Sequence, residues 1–142
     1  MTDEERNRIL KQDFFYHVTL RDNLGSIKVN GFNPSRSDWT IYRAWLKHPA
    51  VFLCTRAALP DAKSMFDNGL DHKPLVVLKV SAMAVAQHEC DVDHSFPDRT
   101  RGLTFVECLE QVGFIACYGT IPPDLLEVVE HQDEHGHWQS GE

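Results

Sequence analysis

The chain has 142 residues, of which 42% are apolar, and its formal net charge at pH 7 is −7. This length and composition predict one globular domain with one core. This net negative charge argues against a protein that binds duplex DNA through an overall positive charge. There is no run of about 18 apolar residues, so no membrane span is expected. The polar start, Met1-Thr2-Asp3-Glu4, is not that of a secretory signal.

The cysteine and histidine spacings favour a reduced protein without a metal site. Cys54, Cys90, Cys108 and Cys117 form neither a Cys-x-x-Cys pair nor a dense framework, which is typical of a cytoplasmic protein. Residues 88–94 contain several possible zinc ligands, but these lack the regular paired spacing of structural zinc sites.

The chain begins with a predicted helix and strand. Thr2-x-x-Glu5 is the capping box of a short helix in an N-terminal extension, residues 1–13. Apolar residues 14–16 then predict a buried strand that ends at His17.

An amphipathic helix is predicted over residues 20–30. Leu20, Leu24 and Ile27 recur at helical spacing, and Thr19-x-x-Asp22 resembles an N-terminal cap. Gly31 stands where a left-handed residue would end the helix.

The rest of the chain alternates short strands and helices. Residues 32–49 are predicted to form a loop with at most one helical turn, and residues 87–104 to be irregular. Strands are predicted at 51–54, 75–80 and 114–118, helices at 56–67 and 81–85, and a closing segment at 125–129. This irregular order favours an α+β domain over residues 14–130, followed by a polar, frayed tail over 131–142.

Residues 14–32 combine an aromatic-Tyr-His-x-Thr strand end, a helix with Asn-Leu-x-x-Ile, and Gly-Phe. The residues are Phe15-Tyr16-His17-Val18-Thr19, Asn23, Leu24, Ile27, Gly31 and Phe32. This combination resembles the opening of the ADP-ribosyltransferase superfamily, which includes small bacterial and phage mono-ADP-ribosyltransferases and the related RNA 2′-phosphotransferases. Segments 51–55, 75–80 and 114–126 follow in the family's order, so the resemblance covers about residues 14–130.

The resemblance implies a fold and an activity. The fold would be an α+β split β-sheet with short flanking helices, in which two central strands splay apart and NAD lies in the gap. The activity would be cleavage of the nicotinamide glycosidic bond of NAD, the co-substrate, and transfer of ADP-ribose. The acceptor is not identified by the sequence.

The resemblance also implies three site positions. His17 matches the first, a His or Arg on the first strand. Phe52 occupies the second, where the family has Tyr or His; its ring can stack on nicotinamide but offers no hydroxyl. The third is an acid, for which Glu110 precedes the last strand. Three other acids remain open alternatives: Glu107, Asp91 and Asp93.

These residues would share the work of holding and cleaving NAD. His17 would contact the adenosine ribose, and Thr19 would contact the same sugar or cap its helix. Glu110 would bind the 2′-hydroxyl of the nicotinamide ribose and steer the nucleophile. Phe52 would stack on the departing ring, and Arg36 would pair with a pyrophosphate oxygen. Catalysis would be mostly positioning and electrostatics.

Two other functions remain open. One is an RNA 2′-phosphotransferase-like enzyme, which also consumes NAD. The other is a catalytically degenerate module that binds NAD or ADP-ribose, an alternative that Phe52 favours.

Overall fold

The computed structural model describes residues 1–34, 49–69 and 73–142. They form an antiparallel sheet flanked by short helices, which confirms the predicted α+β class. Strands β1 to β7 are Phe14–Leu20, Val51–Cys54, Leu75–Ser81, Cys90–Val92, Phe114–Cys117, Leu126–Gln132 and Trp138–Ser140. Helices α1 to α6 are Asp3–Leu10, Leu24–Asn30, Leu59–Gly69, Ala82–Ala86, Pro97–Thr100 and Phe105–Glu107.

The sheet has one weakly paired junction near its middle. Its strand order is β4-β5-β2-β1-β3-β6-β7. Strand β1 pairs with β3 along its whole length, from Phe14 opposite Ser81 to Leu20 opposite Leu75. In contrast, β1 and β2 pair at a single position, Tyr16 opposite Cys54. Beyond that position the two halves of the sheet are no longer joined by a ladder.

Each face of the sheet carries its own core. Side chains alternate along β1, so that Phe15 packs on one face and Tyr16 and Val18 on the other. The first face is covered by α1, α2 and α4, and the second by α3. The α2 contacts come from Leu24 and Ile27.

The N-terminal elements follow the predicted order with different bounds. The capping box of α1 is confirmed, since Thr2 and Glu5 exchange side-chain-to-backbone hydrogen bonds. Strand β1 continues to Leu20 rather than ending at His17, because β3 pairs with it throughout. The predicted cap at Thr19 is wrong: Thr19 lies in β1, and a 3₁₀ turn, Arg21–Asn23, precedes α2.

Gly31 ends α2 as predicted. Its φ is 68°, and its N–H donates to the carbonyl of Ile27 at 2.7 Å. A Cβ at this position would lie 2.0 Å from the carbonyl oxygen of Ile121. The glycine therefore allows the chain after α2 to approach the segment that follows β5, where Phe32 and Ile121 form a bridge.

Later elements include two corrections. The strands predicted at 51–54, 75–80 and 114–118 are confirmed to within a residue, as is the helix capped by Ser81. The helix predicted at 56–67 spans Leu59–Gly69 instead. Residues 87–104 are not wholly irregular, since they contain β4 and α5.

The C-terminal residues are not frayed. Strand β6 extends to Gln132, and β7 pairs with it. The side chain of Gln132 is buried, accepts a hydrogen bond from the N–H of Leu75 at 3.0 Å and donates to Asp67 at 2.9 Å. The buried side-chain amide of Gln132 thus anchors this polar C-terminal segment to the sheet. Among the described residues, no helix is long and apolar enough to span a membrane.

Candidate functional site at the junction of two central strands

A cavity of about 410 Å³ lies where β1 and β2 stop pairing. Its volume is within the usual range for small-molecule sites. Residues 16–20 of β1 and 51–54 of β2 line it, together with side chains from α2 and α3. Because α2 and α3 cover opposite faces, the cavity reaches both sides of the sheet.

His17 lines this cavity and bridges the two strands. Its Nδ1 lies 2.7 Å from the carbonyl oxygen of Phe52. Because a carbonyl can only accept, Nδ1 carries the proton and Nε2 has the free lone pair. Burial lowers the pKa of His17 and outweighs the opposite effect of this hydrogen bond. The imidazole is therefore a neutral acceptor at physiological pH, held with its ring centroid 4.8 Å from that of Phe32.

The backbone of Val18 faces the same opening. Hydrogen bonds at both ends of the β1–β3 ladder, Ala82 to Asp13 and Arg21 to Pro74, show that odd-numbered residues of β1 bond to β3. Even-numbered residues therefore turn their N–H and C=O groups toward β2. The ladder to β2 stops at Tyr16, which leaves the Val18 N–H and C=O without a ladder partner in the described part of the chain.

The His17 imidazole takes the place of the missing pairing. Continuing the register from Tyr16 and Cys54 would put Val18 opposite Phe52. Instead, the Phe52 carbonyl accepts the proton of His17. The His17 side chain thus provides a hydrogen bond to the Phe52 carbonyl of β2 in place of a ladder partner. The N–H and C=O of Val18 in β1 remain directed at the cavity.

Asp93 is the buried acid of the cavity. It follows β4, is 1% exposed, and lines the cavity. Its Oδ1 accepts hydrogen bonds from the N–H of Ser95 at 2.9 Å and from the Ser95 hydroxyl. Burial raises the pKa of Asp93 to about 6, an effect that the Ser95 hydrogen bonds partly oppose. The carboxyl is consequently ionised at neutral pH and becomes protonated under mildly acidic conditions.

Thr19 and Phe52 lie in the same cavity as His17. The Thr19 hydroxyl oxygen accepts from the side-chain amide of Asn23 at 3.0 Å, and its own proton can be donated elsewhere. Phe52 lies two residues before Cys54 in a strand whose side chains alternate, so its ring belongs to the same face as Cys54, the face covered by α3. Burial raises the pKa of Cys54 to about 12, so it is an unreactive thiol.

Three of the four acids considered from the sequence lie outside the cavity lining. Glu110 is exposed and pairs with Arg8 of α1 at 2.6 Å. Glu107 completes the capping box of α6 with Thr104. Asp91 accepts from the N–H of Val92 at 2.7 Å. The structure therefore brings Asp93, but not Glu110, together with His17. Arg36, predicted to bind pyrophosphate, lies outside the described residues.

Sequence reasoning missed two parts of this site. The unpaired Val18 backbone depends on where the β1–β2 ladder stops, which no local pattern reveals. Ser95 had a local signal, since Asp-x-Ser is a spacing at which a carboxylate accepts from the backbone two residues later. Among the described lining residues there is no lysine or arginine, and the described residues contain no cluster of metal ligands.

Comparisons with known proteins are sparse. No protein-family model and no curated protein matches the chain. Among solved structures, one titled EcPltA is similar with 18% sequence identity and a TM-score of 0.49, covering 92% of this chain and 83% of that chain. Neither the fold assignment nor the function proposed below rests on this similarity.

Proposed function

We propose that the protein is a mono-ADP-ribosyltransferase of the split-sheet type, which binds NAD between β1 and β2 and transfers its ADP-ribose to an acceptor. The observation that carries this proposal is the cavity where β1 and β2 stop pairing, because it holds a neutral histidine and a buried carboxylate together. It agrees with the family resemblance of residues 14–32.

The Val18 backbone supplies a complement to the carboxamide of nicotinamide. A primary carboxamide has a carbonyl that accepts and an NH₂ group that donates. A free N–H and C=O of one strand residue match that pair, as they would match a neighbouring strand. Phe52, on the adjacent strand, would contact the nicotinamide ring by stacking. The unpaired segment of β1 is thus the feature that would orient the leaving group.

Asp93 takes the acidic role for which Glu110 was the first candidate. Breaking the bond to nicotinamide builds positive charge on the ribose carbon. A buried carboxylate near that carbon stabilises the charge strongly, because little water screens it. Carboxylates flank the similar centre of glycosidases. Ser95 holds one Asp93 oxygen by two hydrogen bonds, which fixes the carboxylate's orientation.

His17 and Thr19 would bind ribose hydroxyls from β1. The His17 Nε2 lone pair can accept a hydroxyl proton, and the Thr19 hydroxyl can donate one. Asn23 and Asn30 also line this part of the cavity and offer neutral amides to the pyrophosphate. Arg36 remains a candidate for a charged contact with it. A cytoplasmic location is part of the proposal, since the four cysteines are free.

A binding module without turnover is the second candidate. It is favoured by Phe52, which has no hydroxyl to offer a ribose where the family has Tyr or His. This module would use the same cavity and the same Val18 and His17 contacts, and it would retain NAD intact.

The test measures NAD binding by calorimetry and nicotinamide release by chromatography on the same purified protein. We expect Asp93→Asn to abolish release while binding is kept within a few-fold, and His17→Ala to weaken both. Glu110→Gln is the matched control, since that carboxylate is exposed and pairs with Arg8. Cell lysate with labelled NAD then reports the acceptor.

The outcomes separate the candidates. Binding without release, also in lysate, would support the binding module and refute the enzyme. Full release by Asp93→Asn with loss in Glu110→Gln would refute the assignment of the acid. No binding at all would refute both candidates.

A further inference from the structure

Cys90 and Cys117 face each other directly across β4 and β5. The N–H of Tyr118 donates to the carbonyl of Glu89 at 3.0 Å, so the adjacent pair, Glu89 and Tyr118, is a hydrogen-bonded one. Pairs alternate along an antiparallel ladder, which makes Cys90 and Cys117 a non-hydrogen-bonded pair. At such positions the Cα atoms are about 4.5 Å apart, within the range of roughly 4.4–6.8 Å that a disulfide requires.

The pairing of β5 with its other neighbour, β2, independently shows that Cys90 and Cys117 are a non-hydrogen-bonded pair. The N–H of Thr55 donates to the carbonyl of Gly113 at 2.9 Å, just beyond the β2–β5 ladder. Following that register, Cys117 and Val51 form a hydrogen-bonded pair, so the Cys117 backbone turns toward β2 and away from β4. Cys117 therefore meets Cys90 through side chains.

The two thiols lie on the same face of the sheet, in one core cluster. The Cys90 Sγ lies 3.8 Å from the carbonyl oxygens of Val85 and His88, to which its thiol donates. Interaction with the facing Cys117 thiol, together with burial, raises the pKa of Cys90, whereas the facing Cys90 thiol lowers the pKa of Cys117. A hydrogen bond from the Gly119 backbone also favours the Cys117 thiolate, against the effect of burial.

We propose that Cys90 and Cys117 are a redox-active dithiol that a peroxide converts into an intrachain disulfide. The Cys117 thiolate sulfur attacks one peroxide oxygen and the O–O bond breaks; the released hydroxide takes the Cys90 proton and leaves as water. The Cys90 sulfur then attacks the Cys117 sulfenic acid. The S–S bond forms as the S–O bond breaks, and the second oxygen leaves as water after taking up a proton. Two thiols are oxidised and one hydrogen peroxide is reduced to two waters.

The pair lies at an edge of the sheet, where an oxidant can reach it, and close to Asp93, whose position a disulfide would affect. Strand β4 is an edge strand, so local opening exposes it more easily than a central strand. Cys90 is 8% exposed and Cys117 is fully buried. Asp93 lies just beyond β4, which is short and, among the described strands, pairs only with β5. A disulfide would therefore fasten to β5 the strand that leads to Asp93.

The other two cysteines provide controls. Cys54 packs in the core on the opposite face, and the Cys108 sulfur contacts the carbonyl of Phe114 at 3.1 Å. Neither is a cross-strand partner of another cysteine in the described pairings.

The test is thiol counting on the folded full chain after hydrogen peroxide, followed by denaturation, alkylation and peptide mass mapping. We expect the wild type to fall from four free thiols to two, with a Cys90–Cys117 linked peptide that dithiothreitol removes. Cys90→Ser and Cys117→Ser should give no linked peptide, whereas Cys54→Ser should give it as the wild type does. The oxidised form should melt about 5–15 °C higher than the reduced form.

Four thiols retained after prolonged oxidation of the folded protein would overturn the proposal, as would a linkage that includes Cys54 or Cys108. Because a serine variant could be less stable, the decisive comparison is between oxidised and reduced wild type. The result does not depend on NAD binding, so this proposal can fail while the proposed function stands, and the reverse.

Discussion

Replacing Asp93 with asparagine should stabilise the folded protein at neutral pH. Burial raises the pKa of Asp93 from its ordinary value of 3.8 to about 6. A rise of this size corresponds to about 3 kcal/mol of unfolding free energy that the ionised carboxyl costs above pH 6. Asparagine avoids that cost, and its carbonyl oxygen can still accept from Ser95. Its NH₂ group must find a partner or water, so we expect a net gain of about 1–2 kcal/mol at pH 8.

The stabilisation by Asp93→Asn should increase with pH. Between pH 3.8 and about 6 the folded state binds more protons at Asp93 than the unfolded state does. The contribution of Asp93 to wild-type stability should therefore fall as pH rises through this window and then level off. The advantage of Asp93→Asn should be absent near pH 4, grow through pH 5 and 6, and be complete above pH 7.

Urea unfolding at pH 4, 5, 6, 7 and 8 measures this difference directly. Asp98→Asn is the matched control, because that aspartate is exposed in α5 and should show no comparable gain. A variant that is equally or less stable than the wild type at pH 8, with the same pH profile, would refute the idea that Asp93 is a strained buried acid. Loss of NAD cleavage in the more stable variant would then mark the acid as functional.

Three further results are expected. Gly31→Ala should lower the unfolding free energy by at least about 2 kcal/mol, because its Cβ would meet the Ile121 carbonyl at a φ of 68°; Gly25→Ala, with open space around it, should be neutral or slightly stabilising in the same urea titration. Arg8→Ala should cost less than about 1 kcal/mol and leave NAD binding unchanged in calorimetry, since its pair with Glu110 is exposed. Nicotinamide release should rise with pH through about 6 as Asp93 ionises, and a flat profile from pH 5 to 8 would contradict its role.

Elements with a strong local pattern could be predicted from the sequence. Three features had a signal in the local sequence, and each is confirmed: the capping box at Thr2 and Glu5, the Ser81 cap, and the glycine with positive φ that ends α2, Gly31. Runs of β-branched and apolar residues located β2, β3 and β5 for the same reason. The order of strands in the sheet had no comparable local signal.

Two polar segments that tertiary contacts order were predicted wrongly. Residues 131–142 contain many charged and amide side chains, and such composition alone favours a frayed end. The buried Gln132, hydrogen-bonded to Leu75 and Asp67, makes the segment part of the sheet. Strand β4 was missed likewise, since it has only three residues and exists through its pairing with β5.

The choice of acid depends on the same long-range contacts. By sequence, Glu110 precedes a predicted strand and Asp93 falls in a segment predicted to be irregular, so the local pattern favours Glu110 as the acid. The difference arises when α1 packs beside the helical turn that holds Glu110 and supplies Arg8 as its partner, while β4 carries Asp93 into the sheet. Burial then raises the pKa of Asp93 to about 6, and Glu110 stays exposed. A buried carboxyl with a raised pKa is a candidate functional group, and charge developing on a bound ribose would give Asp93 such a role.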